Sequence, residues 1–339
     1  MSTAPSEARP DVSGKERDAT TAAGGHAWSP AAVPARGWWA ALKRAFVEIG
    51  EDNIGIVAAG CAFYAMLALF PAISLLISLY GLLANPATVQ QELELLRGAI
   101  PEEAYALVAG RVHDLVDTAS TTLGWSLLIS LAISLWSSMA ATKSLMTAMN
   151  VAYEERERRS FLRFNLVSLV LTLGGVVAVI VAMTAMVALP AVLTFAGLGG
   201  LTRIAIPTAS VLVVFLFVLG CLAVLYRFGP SRRGAKWHWI SPGSLMATLL
   251  LFVASFGFSF YVSNFASYDV MYGSLGAVVV VLLWFWISAF VVLAGAEVNA
   301  ELELQTQRDT TIGPDRPMGE RGAFVADHVA RRSGQRRSA

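Results

Sequence analysis

Residues 270–303 read VMYGSLGAVVVVLLWFWISAFVVLAGAEVNAELE. The first 27 of them carry no Asp, Glu, Lys or Arg, and then Glu297, Glu301 and Glu303 arrive within seven positions. A helix crosses about 30 Å of hydrocarbon in roughly 20 residues, so this stretch is a membrane span that ends in acid. Five further runs are equally free of charge: 54–84, 118–142, 164–202, 204–226 and 237–268. The six together hold 177 of the 339 residues, in a chain that is 56% hydrophobic and 14% charged with a mean hydropathy of +0.60. Ordinary soluble domains are nearer a quarter charged, so a simple soluble enzyme is excluded. The runs are continuously apolar, where a membrane β-barrel would alternate over about ten residues. The expectation is an all-α, polytopic bundle of six transmembrane helices, with a turn between the third and fourth supplied by Pro190 and the glycine-rich 196–200.

Lys and Arg orient the bundle. The segment before the first span and those after the second, fourth and sixth hold 21 basic residues, against three in the alternate segments, Arg97, Arg111 and Arg203. Both termini are therefore expected in the cytoplasm of a plasma (inner) membrane, around a membrane domain at 37–304. Residues 1–36 and 305–339 are rich in small and polar residues and read as disordered cytoplasmic tails. The segment 85–120 lies outside, with apolar residues at three- and four-residue steps on either side of Pro101, as in two short amphipathic helices. Net charge is +1, which gives no ground for a nucleic-acid partner, and membrane lipids are the partners expected.

Polar groups at the ends of the spans are the candidate site, because an ionisable group in hydrocarbon is costly unless paired or hydrated. Glu297 and Asn299 close the last span, Lys143 the second and Arg227 the fourth, while Glu51 and Asp52 open the first, all at one depth. Lys143 or Arg227 could pair there with Glu297, Glu51 or Asp52; equally, the long side chains could snorkel to the interface. Lys143, Thr147 and Asn150 share one helix face. Pro71 removes a backbone hydrogen bond from the middle of the first span and marks a hinge. Gly55 with Ala59, Ala58 with Ala62, and Gly243 with Ala247 offer close-packing faces. Cys61 and Cys221 lie in separate spans, and His26, His113, His238 and His328 are dispersed, so neither metal nor cofactor is called for. There is no HExxH, Walker or GxSxG motif.

Several motifs stand together: FYAMLALFP (63–71), LWSSMAATKSLMTAMNVAYEE (135–155), LYRFGPSRR (225–233), YGSLGA (272–277), LLWFWIS (282–288) and GAEVNAELE (295–303). In this order they resemble the YihY/BrkB family of bacterial inner-membrane proteins over most of the chain, with Gly229 before Pro230 as a departure. The resemblance implies six spans and a group long labelled ribonuclease, with transport of lipid or solute often supposed. It carries over no catalytic residue. The expected function is that of a transporter or flippase-like permease for a lipid, small solute or ion, and not an enzyme. The alternative is a non-transporting membrane scaffold, and a membrane-associated hydrolase comes third.

Overall fold

A computed structural model of the protein describes residues 25–83, 125–195, 202–265 and 275–330. Among these residues eight α-helices follow a short 3-10 turn at Pro30–Ala32: α1 Ala35–Glu51, α2 Ile54–Leu83, α3 Trp125–Ala152, α4 Phe161–Phe195, α5 Thr202–Phe228, α6 Trp237–Phe265, α7 Leu275–Glu303 and α8 Phe324–Asp327. Among the described residues there is no strand, only an isolated antiparallel bridge between Ala235 and Thr311. Among the described residues five helices are long and apolar enough to cross a membrane, through Ile54–Leu75, Phe161–Ala185, Thr208–Phe228, Trp237–Val262 and Val278–Glu303. The protein is thus an all-helical membrane protein. At 28 residues, α3 has the length of a span and packs along α2.

Helix α7 is the hub, lying against α1, α2, α3 and α6, while α4 and α5 complete the bundle beyond α3 and α6. Lipid-compatible side chains such as Val253, Phe256, Phe260, Val181 and Leu212 face outward. Buried side chains concentrate where α7 ends: Ile54, Met149, Tyr153, Tyr226, Trp239, Leu293 and Leu302 belong to one continuous core.

Closest approach occurs where α6 crosses α7. Gly243 and Gly295 face each other, Ala247 packs beside them, and the Tyr226 hydroxyl donates to the carbonyl of Val292 at 2.7 Å. A Cβ at Gly243 would overlap the carbonyl oxygen of Gly295 and come within 2.5 Å of Asn299 Cγ. The close-packing face expected at Gly243 and Ala247 is therefore used, as are the buried Ala58 and Ala62, whereas a Cβ at Gly55 would meet open space.

Two sequence expectations need correction. Pro190 takes no part in the turn expected there: helix α4 runs through it and ends at Phe195, and the glycine-rich 196–200 lies outside the described residues. Pro71 lies inside α2. More consequentially, the described parts of the two tails, 25–36 and 305–330, fold against the bundle. Gln307 N–H donates to the carbonyl of Gly25, Thr306 Oγ1 to that of Ala27, Arg233 N–H to Gly322 and Ile312 N–H to Gly234. Arg321 is buried, its guanidinium donating to the carbonyls of Arg316, Arg308, Gln307 and Ala326. Asp309 accepts the N–H groups of Thr311 and Arg316, which hold its carboxyl below the usual range despite partial desolvation. Its buried polar residues, Thr306, Asp309, Thr310, Thr311 and Arg321, are hydrogen-bonded within the protein, while 312–320 face outward. Residues 1–24 and 331–339, and the expected pair of helices in 85–120, lie outside the described residues.

Helix α1 lies at the same end as these folded tails. Gly37, Ala41 and Ala45 face the protein, and Trp39, Leu42 and Phe46 point away from it, flanked by Arg36 and Lys43. That is the pattern of a helix lying in a membrane interface. It turns into α2 at Asp52 and Asn53, the latter at φ 52°, a conformation that asparagine tolerates better than most residues.

Candidate functional site

The last two turns of α7 present Glu297, Asn299, Glu301 and Glu303, all of them buried. Their even spacing splits them between two neighbours. Asn299 faces α6 and Glu303 the α5–α6 connection, while Glu301 faces α1.

On the first side, Asn299 Oδ1 accepts the N–H of Gly243 at 2.7 Å, which clamps α6 to α7. Glu303 Oε2 accepts from Arg232 Nη2 and from Thr310 Oγ1, each at 2.7 Å. The Arg232 and Glu303 side chains are 2% and 0% exposed. Arg232 also lies over the Tyr153 ring, 4.9 Å from its centroid. Burial alone would lower the guanidinium's affinity for its proton, but the Glu303 charge reverses that and pushes its pKa above the ordinary value. Desolvation pushes the Tyr153 phenol up, out of reach of physiological pH. Four buried atoms in this cluster have no hydrogen-bond partner: Tyr153 Oη, Arg232 Nη1, Asn299 Nδ2 and Glu303 Oε1.

On the other side, Arg44 of α1 donates to Glu301, through both its carboxylate and its carbonyl, and to Gln305 Oε1. Glu297 is 2% exposed and its Oε1 has no hydrogen-bond partner. The charges that act on it most strongly belong to Asp52, Glu301, Glu48 and Glu154.

The two basic residues expected to meet these acids do not. Lys143 lies over the outward-facing ring of Trp136, 4.4 Å from its centroid. Arg227 donates to the carbonyl of Ala235 and stacks on Trp237 at 4.2 Å. Depth in the membrane sets how far along a helix a charge sits, but not which way it faces, and both side chains are rotated away. Glu51 is exposed and Asp52 is half-buried. Sequence reasoning missed Arg232, Glu303, Tyr153 and Arg44. A usable signal was present, since Glu301 and Glu303 continue the helix beyond Glu297 and call for cations.

Next to the cluster, the turn ending α3 is tied down by Glu157. Its carboxylate takes both Nε and Nη2 of Arg159, at 2.8 and 2.7 Å, and Nδ2 of Asn150 at 3.0 Å. Desolvation acts to raise its pKa, but these donors prevail and hold it at about 2. A carboxyl with a depressed native pKa stabilises the fold above its unfolded value near 4.5 and loses that contribution as pH falls toward 2. Thermal unfolding followed from pH 6 to pH 2 should therefore show a decline that is shallower in Glu157→Gln. An identical slope would dismiss the link.

Similarity to known proteins agrees with this architecture. The ribonuclease-like protein YfkH of Bacillus subtilis is 28% identical over 252 residues, covering 71% of this chain and 87% of the relative. UPF0761 membrane proteins of Alteromonas mediterranea and Vibrio cholerae are 29% and 25% identical, covering 74% and 75% of this chain and 84% of each relative. No solved structure matches the chain. The family described as Virulence factor BrkB matches residues 45–319, from the middle of α1 through the folded segment after α7, and the chain belongs to that family.

Proposed function

We propose that the protein is a six-span inner-membrane permease with both termini cytoplasmic, moving a lipid or a small solute or ion through the bundle, and that it performs no catalytic chemistry and has no nucleic-acid partner. Membrane lipids are its partners in this reading, and α3 is the sixth span. The observation that carries it is Glu297: a carboxylate inside a membrane-spanning helix, 2% exposed, with an oxygen that has no hydrogen-bond partner. An ionisable group in that position is costly, and a transport pathway is a common reason to keep one. Purified protein in liposomes should move labelled lipid or solute, and Glu297→Gln should cut the flux at least tenfold while its unfolding temperature in detergent stays within about 2 °C. Loss of folding with no flux in the parent protein would sink the permease. For topology, a reporter active only in the cytoplasm should work when fused at 330, and activity of a periplasmic reporter there would refute the arrangement.

The Gly243–Gly295 crossing and the Arg232–Glu303 pair favour a second reading, a membrane scaffold whose polar groups hold helices together. The same Glu297→Gln measurement separates the two, since a scaffold loses stability rather than flux.

A further inference from the structure

The folded segments before α1 and after α7 border an open polar cavity of about 290 Å³. Arg308, Arg316 and Arg321 line it together with Asp309 and Asp315, and His26 reaches it from the segment before α1. Arg321 is the fixed base. It is buried, and the carbonyls of Arg316, Arg308, Gln307 and Ala326 hold its guanidinium at distances between 2.6 and 3.2 Å. Two of those carbonyls belong to Arg308 and Arg316, so the same bonds fix the backbone that carries the other two arginines.

The carboxylates of the lining are already engaged. Asp309 Oδ1 accepts from the N–H and the hydroxyl of Thr311, and its Oδ2 from the N–H of Arg316. Asp315 Oδ1 accepts from Lys236 Nζ at 3.2 Å. The arginine donors are not matched in the same way. Arg308 lies over the Trp28 ring, 3.6 Å from its centroid, a contact made through the face of the guanidinium that leaves its N–H edge able to donate. Arg316 is exposed and gives only a long bond of 3.4 Å from Nη1 to the carbonyl of Glu320. A guanidinium has five donors, so even Arg321 keeps one beyond its four carbonyls. Acceptors are consumed while donors are left over, and the group that complements such a lining is an anion. Phosphate fits best, because its oxygens match guanidinium forks two at a time and its charge near neutral pH approaches two.

We propose that this cavity binds a phosphate group, carried by a soluble phosphate or by the phosphomonoester headgroup of a lipid. Its residues are not those of the permease reading and its test reads binding alone, so either conclusion can fall and leave the other standing. Binding of radiolabelled inorganic phosphate to the purified full-length protein is followed by equilibrium dialysis in phosphatidylcholine nanodiscs at neutral pH and constant ionic strength. Saturable binding of about one phosphate per chain should appear with a dissociation constant of about 1 mM or tighter, and chloride should not displace it. Arg308→Gln and Arg316→Gln should each weaken binding about tenfold, the loss of one charge-assisted hydrogen bond. Neither side chain is buried, so both variants should unfold at the parent temperature. Arg163→Gln, exposed at the start of α4, should leave binding unchanged. In a parallel arm phosphatidic acid replaces part of the lipid, against an equal charge of phosphatidylglycerol. Displacement of labelled phosphate by phosphatidic acid beyond that by phosphatidylglycerol assigns the lipid headgroup, and equal displacement assigns a soluble phosphate. No saturable binding in phosphatidylcholine, equal competition by chloride, or binding that survives both substitutions overturns the site.

Discussion

Gly243→Ala should destabilise the protein by about 3 kcal/mol, at the upper end of the range for overpacking a well-filled interior, and lower its unfolding temperature in detergent accordingly. The added methyl has no flexible side chain to push aside. It would overlap the backbone carbonyl of Gly295 and crowd Asn299 Cγ, so two helices must separate. Separation would also weaken the hydrogen bond from Gly243 N–H to Asn299 and the one from the Tyr226 hydroxyl to Val292. Gly295→Ala meets the Tyr226 hydroxyl and the Ala247 methyl, so it should behave alike. The control is Gly257→Ala on the same α6, where a new methyl meets nothing within 4 Å and the helix should gain rather than lose stability. Equal effects at 243 and 257 would show that the crossing is looser than described.

Arg232→Ala should cost about 3–5 kcal/mol, because it abandons the Glu303 carboxylate in a site with 0% exposure. The pair itself contributes less than that figure suggests, since desolvating both charges offsets most of their attraction. Replacing both, as Arg232→Met with Glu303→Leu, should therefore recover most of the loss. Thr310 would then keep a hydroxyl without its acceptor, so full recovery is not expected. The double-mutant cycle on unfolding free energies provides the check. If the double variant is no more stable than the worse single one, the neighbours have failed to close around the new side chains and the pairing account is wrong.

How much could be read beforehand depended on the kind of information each residue carries. Charge-free runs located α2 and α4 to α7 closely, because crossing hydrocarbon forbids charge over a fixed length and that prohibition is written in one dimension. Glu297 and Asn299 stood out for the same reason, as the first polar groups after such a run. Their partners did not, since a helix of known depth can still face any direction. Lys143 and Arg227 sat at the right height and turned toward Trp136 and Trp237. Arg232 reads in the sequence as one more basic loop residue setting orientation, although its side chain is sealed inside the protein. Helix α1 was hidden differently: its apolar Trp39, Leu42 and Phe46 face outward, so the rule that apolar residues mark the core reads it inside out. The segment 305–330 was misjudged because Thr, Asp and Arg satisfy one another there, and composition cannot distinguish a polar group solvated by water from one solvated by protein.

The ion pairs that close this end of the bundle also impose an order on its assembly. A ribosome makes Arg232 71 residues before Glu303, and Arg44 257 residues before Glu301. At about 5–20 residues per second, Arg232 waits on the order of ten seconds for its counter-charge, and Arg44 longer. During translation the helices before α7 can enter the bilayer, but these two pairs stay open until α7 arrives. The nascent chain is thus completed from its far end, and a messenger truncated within α7 would leave Arg232 and Arg44 without Glu303 and Glu301.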